Sequence, residues 1–137
     1  MTSRPKRVPE PSALTRPYWD AATRGELVIQ RCGECRHWIH FPELRCPHCA
    51  SQSLGYERVS GRGIVETFTV VHRSFAPGFE AETPYVVAWI ALPEQAGLRT
   101  MANVTGCAVE EVAIGMPVEV YFEPRGELKL PNFKACR

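Results

Sequence analysis

No stretch of this chain approaches the roughly 20 consecutive apolar residues that a membrane-spanning helix needs. The first ten residues are basic and proline-rich, with no apolar core behind them, so no secretory leader is expected. Net charge is almost absent, at +1, which argues against a chain-wide pull toward nucleic acid or an anionic membrane. Long helical periodicity is missing too. Twelve prolines and ten glycines interrupt the chain throughout, a density that suits short strands and turns. There are no internal repeats. There is no G-x-S-x-G elbow, no phosphate-cradling glycine loop and no H-E-x-x-H. The expected location is the cytoplasm, where thiols stay reduced.

What is present is cysteine. Six occur, and four form Cys32-Gly-Glu-Cys35 and Cys46-Pro-His-Cys49, two C-x-x-C knuckles with ten residues between them. Each knuckle turns tightly and aims both thiolates at one centre, so the pair predicts a tetrahedral four-sulfur site. Two unrelated redox pairs or disulfides are the competing reading. Protein atoms fill all four positions and leave no place for a reactive water, so the expected metal is a structural zinc ion. Iron in a rubredoxin-like site is the alternative, since four sulfurs also suit iron. Arg31, Arg36, Arg45 and His37 lie beside the ligands and are placed to offset the site's negative charge. His37, His40 and His48 read as exposed or outer histidines. Cys107 and Cys136 fit no motif and read as bystander thiols.

Around the knuckles, residues 1–14 read as a flexible tail. A short helix follows from Pro17, which suits a first turn, to a cap at Gly25. Tyr18 and Trp19 are its expected anchors. Glu26–Arg31 reads as a strand entering the cysteine module, and residues 50–56 as a lead out of it. The rest is β. Ile64–His72, Tyr85–Leu92, Leu98–Thr105, Val118–Glu123 and Leu128–Lys134 are five strand candidates, with Pro131 marking the last as an edge. Five short strands without a crossover helix predict a small closed barrel. The domain reading is therefore a tail over 1–14, helix and ribbon over 15–56, and a barrel over 57–137.

No catalytic set stands out. Glu66, His72, Arg73 and Ser74 gather at a strand end, with Glu82 further along, but a polar rim explains them as well as a base does. The connection from Ser74 to Thr83 carries Phe75 and Phe79, and aromatics on a long loop must either bind something or fold back.

A short helix, C-G-E-C…C-P-H-C, G-R-G-I-V-E-T-F-T-V-V-H-R, P-Y-V-V-A-W-I-A-L and G-M-P-V-E-V-Y-F-E, in that order, resemble the acyl-CoA-associated zinc-ribbon/OB-fold family over roughly residues 15–135. That family was formerly domain of unknown function family thirty-five. The resemblance implies a mainly β fold, with a rubredoxin-like zinc ribbon ahead of a five-stranded OB-fold barrel. It implies a non-catalytic small subunit beside a thiolase-fold aldolase or thiolase, as in steroid side-chain degradation, lining a CoA-thioester channel while the partner supplies the catalytic residues. Only the four cysteines transfer as site residues. Arg73, Ser74, Phe75 and Phe79 are expected, from position alone, to face the acyl-CoA or the partner.

The competing reading is a nucleic-acid-binding module, because ribbons and such barrels both serve that role. It needs a basic groove with stacking aromatics, whereas Glu57, Glu66, Glu119 and Glu123 sit on the predicted strands. A third reading, an enzyme in its own right, rests on His72 and its polar neighbours alone.

Overall fold

The computed structural model describes residues 5–136. Its one α-helix, α1 (Arg16–Thr23), ends where Gly25 adopts φ +83°, a left-handed turn that costs glycine nothing. Ala21 and Ala22 are buried on its inner side.

A three-stranded antiparallel sheet follows. Strand β1 (Val28–Cys32) lies between β2 (Trp38–Ile39) and β3 (Leu54–Arg58). Of these three strands, the sequence pattern predicts β1 alone. β2 is too short to show a period, and β3 alternates poorly around Gly55, so residues 50–56 are more than a lead out of the ribbon. Two glutamines act as tethers in place of further strands. Buried Gln30 donates to the Glu43 carbonyl at 2.8 Å and accepts the Glu43 N–H at 2.8 Å, which fixes the loop between the knuckles. Gln95 does the same for Trp38, at 2.9 and 3.0 Å, and so ties the ribbon to the barrel.

The five remaining strands are β4 (Arg62–Val71), β5 (Tyr85–Ala91), β6 (Arg99–Thr105), β7 (Pro117–Arg125) and β8 (Leu128–Ala135). They close a barrel in the order β4-β5-β6-β8-β7. Every neighbour pair is antiparallel except β6 and β8. A bulge between Val65 and Thr67 adds a residue to β4 and helps it curl. In β5, Val86, Ala88 and Ile90 are buried, while Tyr85, Val87 and Trp89 alternate to a half-covered outer face. The apolar run thus belongs to a curled sheet.

The edge assignment for β8 needs a correction. β8 pairs with β7 along its whole length, but with β6 only at Val104–Phe133 and Thr105–Lys134. It therefore closes the barrel at one end and is an edge at the other, where Pro131 brings no N–H to a ladder.

One core unites both parts. Leu27, Ile29 and Trp38 from the ribbon pack with Val65, Ile90, Val104 and Phe133 of the barrel. Residues 1–4 of the leader lie outside the described residues, and the rest of the arm touches both the barrel and the ribbon. Lys6 pairs with Glu82, Arg125 donates to the Arg7 carbonyl at 3.1 Å, and Tyr56 donates to the Leu14 carbonyl at 2.7 Å. A Cβ at Gly126, whose φ is +62°, would come within 2.9 Å of Val8. No helix among the described residues is long and apolar enough to cross a membrane.

Candidate functional site

The two knuckles meet. The Sγ atoms of Cys32, Cys35, Cys46 and Cys49 all lie within 4.8 Å of one another, and none is in a disulfide. Cys32 and Cys46 are buried with Ile39 and Leu54, whereas Cys35 and Cys49 face outward. Backbone N–H groups point at the sulfurs, from Glu34 to Cys32 at 3.4 Å and from His48 to Cys46 at 3.4 Å. The N–H of Cys35, assisted by that of Glu34, lowers the Cys32 thiol, while burial and the neighbouring sulfurs push the thiols of Cys35 and Cys49 up, as four sulfurs crowded on one centre require a cation to relieve. Thiolates are the zinc-binding form, so the donor set, its spacing and its N–H support fit a four-coordinate zinc ion. The site is a structural zinc site of the rubredoxin type.

The flanking cations do not act on the metal alone. Glu57 accepts from Arg36 at 2.7 Å and from Arg31 at 3.4 Å, and Arg36 leads in holding its carboxyl below the usual range. Arg31 also stacks on Trp38, 4.2 Å from the ring centroid. His37 and His48 stack on each other at 5.0 Å beside the knuckles.

His40 stands apart from the other two histidines. It leans on Tyr18 at 5.8 Å, its Nε2 lies 3.3 Å from Thr100 Oγ1, and its Nδ1 is buried without a partner. Burial lowers its pKa from 6.5 to about 4. The unfolded chain therefore takes up a proton that the folded chain refuses. Stability from neutral His40 is complete above pH 6.5 and is lost as pH falls toward 4. Converted at about 1.4 kcal/mol per unit, this amounts to about 3 kcal/mol. Zinc-loaded wild-type protein and His40→Gln, melted from pH 7.5 to 4.5, should show the acid loss diminished in the variant.

The loop residues separate. Phe79 folds back onto Tyr85 at 5.4 Å and lies under Lys6 at 4.6 Å. Ser74 Oγ lies 3.0 Å from the Tyr85 hydroxyl. Phe75 is 88% exposed, and His72 and Arg73 are exposed. Glu66 pairs with Arg99 at 2.7 Å and Glu82 pairs with Lys6, so the polar rim does not assemble around His72. Sequence reasoning missed a cleft of about 330 Å³ between α1, β6 and β8, lined by Tyr18, Trp19, Phe79, Met101 and Asn132. Its one sequence signal is Asn132, a polar residue between Pro131 and Phe133 that is 3% exposed.

A rubredoxin-like ribbon joined to an OB-fold barrel defines the class of protein. Residues 19–55 match the ChsH2 rubredoxin-like zinc ribbon domain and residues 56–123 the ChsH2 C-terminal OB-fold domain. A DUF35 domain-containing scaffold protein of Methanocaldococcus jannaschii is 40% identical over 70% of this chain and 67% of its own length. The chain belongs to this DUF35 family of zinc-ribbon/OB-fold proteins. A probable enoyl-CoA hydratase alpha subunit of Thermomonospora curvata is 40% identical over 85% of this chain. The 3-oxo-4,17-pregnadiene-20-carboxyl-CoA hydratase alpha subunit of Mycobacterium tuberculosis is 34% identical over 86% of it. The chain spans 36% and 40% of the lengths of those two subunits. A solved chain described as Ltp2-ChsH2(DUF35) aldolase superposes with TM-score 0.84 at 36% identity, covering 93% of this chain and 98% of that one. A DUF35 protein of unknown function from Sulfolobus solfataricus shares the fold, with TM-score 0.63 at 14% identity.

Proposed function

We propose that this chain is a non-catalytic accessory subunit of a thiolase-fold acyl-CoA aldolase or thiolase, forming a hetero-oligomer in which it shapes the CoA-thioester channel and holds its partner in form. The observation that carries the reading is the near full-length likeness to the DUF35 chain of the Ltp2-ChsH2 aldolase. Steroid side-chain degradation is the favoured setting, because one relative is named for a pregnadiene carboxyl-CoA. The four-sulfur site supports a scaffold role, since it leaves no open metal position for chemistry. The nucleic-acid reading fares worse. Arg99, Lys134 and Arg125 on the barrel are neutralised by Glu66, Glu119 and Glu123.

Arg73, Ser74 and Phe75 are the loop residues that we assign to the partner or the thioester. Phe75 exposes a whole aromatic ring without supporting the fold, as an interface anchor does. The test is capture of partners by the tagged chain from its native cell, with mass spectrometry. A thiolase-fold enzyme in the eluate supports the reading; nucleic acid in its place sinks it. With that partner in hand, Phe75→Ala should weaken binding about tenfold or more. The melting temperature of the chain alone should hardly move, because the ring packs on little.

A further inference from the structure

The cleft beside α1 exists because the barrel is incompletely zipped. β6 and β8 pair only at Val104–Phe133 and Thr105–Lys134. Below that point Pro131 supplies no N–H, and the strands part. The Asn132 side chain spans the gap, with its Oδ1 accepting the Asn103 N–H at 2.9 Å. The other end of that amide, Nδ2, is buried without a partner. A buried donor left unmatched is destabilising, and an acceptor placed in the cleft would satisfy it. Tyr18 lines the same cleft, and burial, with Tyr56 nearby, pushes its hydroxyl far up, so it stays protonated and can donate.

The surroundings decide what kind of acceptor fits. Cations are near but already matched. Arg125 donates to Glu123 at 2.6 Å and to the Arg7 carbonyl at 3.1 Å, and Lys6 pairs with Glu82. A phosphate or carboxylate would find no free positive charge among them. The remaining wall is mixed: Trp19, Phe79, Val87 and Met101 make its apolar part, and Tyr85 and Asn103 add polar groups. A second hollow of about 220 Å³ shares Tyr18, Trp19 and Met101 and runs on past Phe41 and Pro42.

We propose that this seam is a binding site for an apolar molecule whose neutral carbonyl oxygen accepts from Asn132 Nδ2 and the Tyr18 hydroxyl. It rests on the acyl-thioester reading only for the source of the ligand, the acyl body rather than the nucleotide end.

The experiment titrates the zinc-loaded full chain, labelled with nitrogen-15, with 1-decalone, a fused-ring ketone. Its controls are decalin, which lacks the oxygen, adenosine diphosphate and pantetheine. Saturable binding of 1-decalone that shifts the Asn132 side-chain amide signal, with decalin at least tenfold weaker, supports the proposal. Tyr18→Phe keeps the ring and should weaken the ketone about threefold to tenfold, the worth of one neutral hydrogen bond. Asn132→Asp keeps the acceptor for Asn103 and should abolish the ketone preference. Equal binding of decalin, no shift of the Asn132 amide, or binding of adenosine diphosphate or pantetheine in place of the ketone overturns it. Because the chain is tested alone, a failed partner capture and a failed ketone titration are separate results.

Discussion

Stripping the zinc from this protein should unfold the ribbon and take part of the barrel with it. Zinc bound to four thiolates contributes on the order of 10 kcal/mol to a folded small module, which is comparable to the 5–15 kcal/mol that keeps a whole domain folded. The ribbon has little else to stand on, because its own apolar cluster is Cys32, Ile39 and Cys46 with Leu54 beside them. Two of those are ligands, so losing the ion also leaves buried thiols crowded around nothing. The damage should not stop there, since Leu27, Ile29 and Trp38 sit in the same core as Val65 and Phe133. Cys32→Ser and Cys46→Ser should each reproduce the effect of a chelator: no stoichiometric zinc, and loss of a cooperative melt. Metal analysis should give one zinc per wild-type chain. Cys136→Ser is the control: that thiol is exposed, and the variant should stay within about 0.5 kcal/mol of wild type. A chain that keeps its melting temperature in excess chelator would show that the ribbon folds without metal and that its zinc is not structural.

Why the metal site was legible and the cleft was not is a matter of range. The four ligands come in two local knuckles, and each knuckle writes its geometry into four consecutive residues. The barrel strands were legible for a similar reason: Val118–Glu123 alternates, and Tyr85–Leu92 is rich in apolar residues between turn signals. Trp38–Ile39 carries no period that two residues could show. Phe75 and Phe79 look alike in sequence. They part because Phe79 meets Lys6 and Arg125, and Arg125 lies 118 residues from the Arg7 carbonyl that it binds. Nothing local encodes that meeting. The same holds for Asn132, whose role depends on where β6 stops pairing, a property of the closed barrel and of no single strand.

That stopping point is Phe133, and its truncation should be the most damaging single change in the barrel. Phe133 is fully buried, at 0% exposure, and is the largest such side chain. It pairs with Val120 on β7 and with Val104 on β6, at one end of the two-residue parallel ladder that closes the barrel. Phe133→Ala removes a ring from a packed core and leaves a hole that the surrounding strands cannot fill, at about 3–5 kcal/mol. For a chain of this size that corresponds to a fall of roughly 10–20 °C in melting temperature. Lys134→Ala is the matched control: the neighbouring ladder residue is exposed, its contact with Glu119 is 3.6 Å on the surface, and it should change stability by less than about 0.5 kcal/mol. The functional consequence follows from position. Asn132 is held over the cleft by its Asn103 bond on one side and by Phe133 in the core on the other. If the ladder loosens, the amide loses its aim before the barrel melts. In zinc-loaded Phe133→Ala at 10 °C, the Asn132 side-chain amide should therefore broaden while the signals of the zinc knuckles stay sharp. Sharp, unshifted Asn132 signals in that variant would mean that the seam is held open by α1 alone and not by the closure at Phe133.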